Sequence, residues 1–369
     1  MIGVVGRTDP RSVELRLLVS CVRFSMYPET PGRNDRVTAG VNWREVLSLA
    51  RAHRVIPLVH HALGTAERHD VPSEIWGELH DDFLAITAGN LFLSHTLLEV
   101  LELFGKHEIP ALPYKGPVLA HQMYGGIHRR QYSDLDILVH KDDVLRARAV
   151  LLSLGYRQEF LFSPKREAAY LRWGCEYNFD SPQGVHVEVH WRIMPPSFPF
   201  SLEAEDLWDR ATPWQFLGTP VLTVAPEDLL LILCVHASKH HWEHLSLCCD
   251  VAAVLRSCKD VDWDTLMNRS QTTTSKRHLR LGLLLARDVL GASLPPEIEK
   301  VLEADQNVES LARGTAARLL RDGPRFSRGL GRLGLRLRSI DRVQDRLRHP
   351  VDLFTVRHRH RRSRRRTPW

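Results

Sequence analysis

No CxxC pair occurs among the six cysteines (Cys21, Cys175, Cys234, Cys248, Cys249 and Cys258), and their spacing follows no regular framework. A chain of 369 residues with such a pattern does not read as a disulfide-stapled secreted scaffold; reduced, mostly buried thiols and a cytoplasmic location are expected. A run of about 18 apolar residues is also missing, so no transmembrane segment is expected. Near the N-terminus Asp9, Arg11, Glu14 and Arg16 stand where a signal peptide would need an unbroken apolar core. No internal repeat of fixed length is found. Acidic residues are scarce at the C-terminal end, where residues 325–369 hold fifteen arginines against Asp341, Asp345 and Asp352. That end carries +12, which leaves 6 − 12 = −6 for residues 1–324.

What is present is a chain with 43% hydrophobic residues, enough to bury a substantial core divided into two or three packed regions. Residues 1–40, with the Pro/Gly/Asp-rich YPETPGRNDR, read as a poorly fixed lead-in. Residues 41–108 show helical spacing, with Ser73 as a cap candidate. From Ile109 the period changes: IPALPY reads as a strand, KGPVLAHQMYGG as a turn and helix, SDLDILVH as a strand, KDDVLRARAVLLSLGY as a helix closed by Gly155, and GVHVEVHW as a strand. Helical spacing returns over 196–324, and 325–369 form an Arg-rich, partly disordered tail. The fold class is therefore α+β: a small mixed sheet with helices over 109–195, flanked by N- and C-terminal helical regions. The tail offers a contact for nucleic acid, an anionic membrane or an acidic partner, or else is a solvated segment with no specific ligand.

Alternate side chains of a strand point to opposite faces, so Asp134 and Asp136 project together while Leu135, Ile137 and Val139 face the other way. Two such carboxylates repel unless a cation neutralises them, and hard oxygen ligands suit Mg²⁺, with Mn²⁺ as the alternative ion. On the later strand His186, Glu188 and His190 share one face, and Glu188 can supply a third carboxylate. On this view, removing one crowded acid leaves the metal-free fold level or slightly more stable. Lys115 and Gly116 offer a charge and open backbone N–H groups to an anion, and Arg130 a second positive contact. Each element also has a plainer reading: a solvated strand face for Asp134 and Asp136, an ordinary turn for Lys115-Gly116, an exposed row or a zinc row for His186, Glu188 and His190.

In HASKHHWEHLSLCCD, His236, His240 and His244 fall at i, i+4 and i+8 of an expected helix. Three readings stay open: a packed polar face, a zinc site, or substrate contact in which Lys239 and His240 approach phosphate and Trp242 stacks on a base or sugar. Asp250 closes the same helix as a minor candidate.

The joint order of these residues resembles the DNA polymerase beta-like nucleotidyltransferase superfamily, with its glycine after the first strand, hydrophobic-flanked Asp-x-Asp on the next and third acid on a later strand. Here Gly116, Asp134 with Asp136, and Glu188 stand in those places. The chain is closer still to an uncharacterised nucleotidyltransferase family of bacterial gene clusters for polysaccharides and peptide natural products. The similarity lies in WREVLSLARAHRVIPL from Trp43, KGPVLAHQMY from Lys115, RQYSDLDILV from Arg130, LLSLGY from Leu151, VEVHW from Val187 and EDLLLILCVHASKHHW from Glu227, and covers about residues 41–255. The resemblance implies a Mg²⁺-dependent enzyme moving a nucleoside monophosphate from an NTP such as ATP to a small-molecule, polysaccharide-precursor or peptide acceptor. It implies Asp134, Asp136 and Glu188 as catalytic metal ligands, and Lys115, Gly116, Arg130, Ser133, Lys239 and His240 as nucleotide contacts. One departure stands out: Gly116 precedes Pro117 where the superfamily has Gly-Ser or Gly-Gly, and proline removes a backbone donor from the phosphate cradle. The competing class is a non-catalytic protein that uses this fold and its basic tail to bind nucleic acid or a partner.

Overall fold

The computed structural model describes residues 13–29, 40–65 and 71–322, so the Arg-rich tail 325–369 and the greater part of the expected lead-in lie outside the described residues. Within that lead-in, α1 (Val13–Met26) is a core helix: Leu17, Leu18, Cys21, Val22 and Met26 recur at helical spacing and are all buried. The expectation of a poorly fixed segment is corrected there, because its apolar face packs chiefly on the helices at Trp43–Ala52 and Ile56–Thr65 and is closed further by the Leu245–Ser257 and Ala286–Leu290 segments. Next come α2 (Trp43–Ala52), whose cap residue Asn42 accepts from Glu45 N, α3 (Ile56–Thr65) and α4 (Ser73–Lys106). By length and mean composition α4, at 34 residues, could cross a membrane, although Thr87, Asn90, Ser94, His95 and Thr96 interrupt it and it holds no unbroken apolar run of the kind the sequence lacks. About a third of its apolar stretch is buried, and Asn90 in the middle of that buried side donates to two carbonyls of the sheet region.

The middle of the chain runs β1 (Ala111–Pro113), α5 (Gly116–Tyr124), β2 (Asp134–Val139), α6 (Val144–Ser153), β3 (Arg157–Gln158), α7 (Pro164–Trp173), β4 (Glu176–Asp180) and β5 (His186–His190). These strands make one mixed sheet in the order β1-β2-β5-β4-β3, in which β2 and β5 run parallel and every other pair antiparallel. Strand alternation sorts the side chains cleanly. Leu135, Ile137, Val139, Tyr177, Phe179, Val187 and Val189 form the apolar face, packed with Leu93, Leu97, Val100 and Phe104 of α4 and Val144, Ala147 and Leu151 of α6. The opposite face carries the polar residues of β2, β4 and β5.

Beyond the sheet lie α8 (Ala204–Asp209), β6 (Thr212–Phe216) and β7 (Thr219–Thr223), then α9 (Pro226–Lys239), α10 (Leu245–Ser257), α11 (Trp263–Thr272), α12 (Lys276–Leu285) with a π-helical turn at Ala286–Leu290, α13 (Pro296–Glu303) and α14 (Gln306–Asp322). The helical region expected over 196–324 thus contains a separate two-stranded hairpin. Its turn, Leu217-Gly218, has positive φ at both residues (49° and 85°), the geometry that matches strand twist in a two-residue loop. The two helical regions are not independent flanks. α1 through α3 share one hydrophobic core with α9 through α14, and α1 is tied across by Arg23 Nε to Val289 O (2.7 Å), while Tyr27 OH, just past its end, donates to Ala252 O (3.0 Å).

Two acids open α9 and lock that body together. The Asp228 side chain is fully buried between Arg210 Nε (2.9 Å) and Arg269 Nε (2.6 Å), while Glu227 takes Arg210 Nη2 (2.8 Å) and Asp262 N (3.0 Å). Negative charge in a helix's first turn also suits its dipole. Replacing Asp228 by Asn leaves both guanidinium groups without their shared counter-ion, so unfolding free energy should drop by about 3 kcal/mol, the usual scale for breaking a buried ion pair. An unchanged denaturation midpoint would show that the arginines are satisfied by water instead.

Candidate active site

The parallel register of β2 on β5 aligns Asp134 with His186, Asp136 with Glu188 and Leu138 with His190. The antiparallel register of β4 sets Glu176, Asn178 and Asp180 beside His190, Glu188 and His186 on the same face. Five carboxylates, two imidazoles and an amide therefore share one side of three adjacent strands. Among the described residues, one group of possible metal ligands converges: Asp136, Glu188 and His190, whose ligand atoms all lie within 4.8 Å of one another. Asp134 is not in it; it stands one strand repeat earlier, roughly 6.7 Å back along β2. His186 lies between Asp180 (Nδ1 to Oδ1, 3.1 Å) and Glu188 (Nε2 to Oε1, 3.7 Å) and is not in the converging group, so the alternative of a zinc row at His186, Glu188 and His190 is not assembled.

The donors present fit a divalent cation. Two carboxylates converge with the His190 imidazole, which would ligate only after giving up its proton, and beside Glu188 the Asn178 Oδ1 is buried without a hydrogen-bond partner, an oxygen open to a ligand. Oxygen-rich sets of this kind suit Mg²⁺ or Mn²⁺.

Lys115 does not sit at a distance waiting for phosphate. Its Nζ lies 2.6 Å from Asp136 Oδ1, which also has His190 Nε2 at 3.3 Å and accepts from Tyr114 OH at 3.4 Å. Burial would raise the Asp136 pKa, but Lys115 and the His190 hydrogen bond outweigh it and the carboxyl is lowered. Burial likewise works against charge on His190, yet hydrogen bonds to Asp136 and Glu188 push it up to about 10. Glu188 is held well below its ordinary value despite burial, by hydrogen bonds from His186 and His190. Asp134 is raised, by burial and then by Asp136. The expectation that the metal-free acids simply repel is corrected here, because an ammonium and an imidazolium already neutralise Asp136.

Lys115 is placed by the turn into α5. Gly116 has φ +55°, and a Cβ on it would lie 3.0 Å from the carbonyl oxygen of Asp134. Only glycine lets the turn press this close to the start of β2. The N-terminus of α5, with Pro117 in its first turn, thus opens against the acidic face.

Arg130 is already engaged. Its Nε and Nη2 make a fork on Asp250 (2.7 and 2.8 Å), Tyr124 OH donates to the same carboxylate at 2.7 Å, and Asn90 Nδ2 donates to both Ile127 O and Arg130 O at 2.7 Å. Only Nη1 is left, buried and without a partner. Arg130 therefore fixes the segment that feeds β2, and Asp250 is its anchor. Ser133 is exposed just ahead of β2 and lies outside this network.

The three histidines do not share a helix. α9 stops at Lys239; His241 and Trp242 take left-handed φ values of 58° and 53°, and α10 begins at Leu245. Burial decides the break: Trp242 is fully enclosed, with Nε1 donating to Ser238 Oγ (3.2 Å), so it cannot stack on a base or sugar. His244 is spent on the α2 end, with Nδ1 2.9 Å from Ala52 O. His236 and His240 stay together, ring centroids 4.6 Å apart. His236 is held well below its ordinary pKa by burial and then by Lys115, which sets the last turn of α9 beside the acids. Lys239 is half-buried there and His240 exposed. Residues that the sequence reading left out are Tyr114, Glu176 and Asn178, and His190 entered it only as part of an alternative zinc row; alternation in EYNFD carried the signal for Glu176 and Asn178, and none existed for Tyr114.

Two outcomes test this charge balance. Asp136→Asn strands Lys115, whose side chain is only 11% exposed, so the metal-free protein should lose about 3 kcal/mol in chemical unfolding; unchanged or higher stability would show that Lys115 finds another partner. His190 has its pKa raised on folding to about 10, so its contribution is full below its unfolded value of about 6.5 and is lost as pH rises toward 10. The melting temperature should fall across that window, and His190→Gln should flatten the fall.

Comparison with known proteins adds the family. The model of the family described as "uncharacterised nucleotidyltransferase" matches residues 39–291, more than half of the chain. A search of curated proteins finds no match. Among solved structures, an antigenic nucleotidyltransferase-like protein from Paracoccidioides brasiliensis is matched at 14% identity over 58% of this chain and 92% of its own. Its TM-score of 0.33 is too low a likeness to bear on the site. With the family model spanning the sheet, the acidic face and the helices that close it, the chain belongs to the uncharacterised nucleotidyltransferase family.

Proposed function

We propose that this protein transfers a nucleoside monophosphate from an NTP to a hydroxyl or phosphate of an acceptor and releases pyrophosphate. The observation that carries the proposal is the side-by-side placement of Asp136 and Glu188 on parallel strands, with the Gly116 turn pressed against the Asp134 carbonyl at the start of the Asp136 strand. Membership of a nucleotidyltransferase family supports it. In the reaction a bond forms between an acceptor oxygen and the α-phosphorus, the bond to the bridging oxygen of the β-phosphate breaks, and the acceptor proton passes to a carboxylate or to solvent.

Asp136 and Glu188, with His190 or Asp134 completing the set, would hold Mg²⁺ or Mn²⁺. When bound, such an ion neutralises charge developing on the phosphoryl oxygens. The remaining work falls to side chains. Lys115 and the first turn of α5 face the position of a triphosphate, and Arg130 Nη1 is a buried donor with no acceptor of its own. Lys239 and His240, at the end of α9, supply cationic and polar contacts at the rim. Asp134, whose pKa is raised by burial and then by Asp136, is the acid of this face most inclined to take up a proton.

Incubation with each labelled NTP, Mg²⁺ and a small-molecule extract, followed by mass spectrometry, should reveal an NMP adduct of one acceptor class. Asp136→Asn should reduce that transfer by roughly two orders of magnitude or more, the scale for losing a group that stabilises transition-state charge. Undiminished transfer by the variant would refute the assignment.

A further inference from the structure

The Lys115 ammonium occupies the approach to Asp136 that a cation needs, and it is held there closely. The two side chains are 11% and 2% exposed and 2.6 Å apart. The acceptor oxygen Oδ1 is crowded further by His190 Nε2 and Tyr114 OH, so a divalent ion arriving alone meets a fixed positive charge at an oxygen that already has three partners. Lys115 is also the cap residue of α5, immediately before Gly116 and the open N–H groups of the first helical turn. A lysine stem is long and rotatable, so the same residue can leave Asp136 and reach an anion seated at that helix start with no movement of the backbone.

We propose that Lys115 is the resident counter-ion of the metal-free site and passes from Asp136 to the triphosphate as the cation enters. The species recognised is then the metal–triphosphate complex rather than free cation or free nucleotide. This rests on the nucleotidyl-transfer function proposed above. Each partner makes room for the other: the triphosphate takes the ammonium off Asp136, and the cation replaces the charge that Asp136 gives up. Cation and nucleotide must in consequence bind with strong positive cooperativity, and by linkage the effect is equal in both directions. An ordinary buried salt bridge with no second destination for Lys115 makes the opposite prediction, because its removal would not alter how nucleotide and cation affect one another.

The test uses the full chain and Mn²⁺, read by its electron paramagnetic resonance signal, with and without a non-hydrolysable α,β-methylene NTP. In the wild-type protein the analogue should tighten Mn²⁺ binding by about 30-fold, within the usual range of allosteric coupling. In Lys115→Met, Mn²⁺ alone should bind about 10-fold tighter than in wild type, and the effect of the analogue should shrink to within about 3-fold. Lys115→Gln keeps a donor to Asp136 without the charge and should behave like Lys115→Met even if the latter folds poorly. Lys115→Arg keeps the charge and should keep wild-type cooperativity. Unaltered Mn²⁺ affinity and cooperativity in both neutral variants would overturn the handover while leaving the proposed reaction standing. A wild-type protein that binds no Mn²⁺ even with the analogue would overturn both.

Discussion

The parallel pairing of β2 with β5 is the contact on which the site depends. These strands are separated in sequence by α6, β3, α7 and β4, yet they are neighbours in the sheet, and their register sets Asp136 directly against Glu188. A slip of one residue would turn every side chain of one strand to the other face, setting Leu135 or Ile137 among the acids and an aspartate in the apolar core. The register is held because Leu135, Ile137, Val187 and Val189 pack as a single layer beneath α4 and α6. Hydrophobic burial on one face thus places the charges on the other.

That placement creates an electrostatic problem, and the solution involves residues outside the acids themselves. Lys115 comes from the turn before α5, His190 from the end of β5, and Tyr114 from the residue after β1. Their donors converge on one oxygen of Asp136. In a low-dielectric setting an unpaired carboxylate would be protonated or expelled, so the compensation is what allows the acidic face to exist without a metal. The same arrangement sets the terms on which a cation can enter.

The helical body serves the site from behind. Its α1 to α3 and α9 to α14 form one core, and from it Asp250 reaches out to fork Arg130 and hold the segment leading into β2. Asn90 of α4 grips the same segment through two carbonyls. The acids are therefore tied to both sides of the molecule: to α4 and α6 through the sheet, and to α10 through Arg130. Meanwhile α9 ends after Lys239 with His236 and His240 within reach of the Lys115 charge, while Trp242 is enclosed by the core.

The local pattern was enough to reveal the α+β class, the strands at SDLDILVH and GVHVEVHW, and the common face of Asp134, Asp136 and Glu188. Strand alternation and glycine turns are properties of neighbouring residues, so they can be read without a fold. The same alternation already contained Glu176, Asn178 and His190, although it could not say which of a row of polar groups converge. Tertiary structure alone decided that Lys115 bonds Asp136, that Arg130 is taken by Asp250 across 120 residues, and that α1 is a core helix, packed on α2 and α3 and tied by Arg23 to Val289 O near the other end of the chain. It also decided that His244 and Trp242 leave the row of His236 and His240, since a helix stops where burying a large side chain outweighs adding another turn. Each of these depends on which distant surface arrives to complete a charge or an apolar face, and spacing along the chain does not encode that distance.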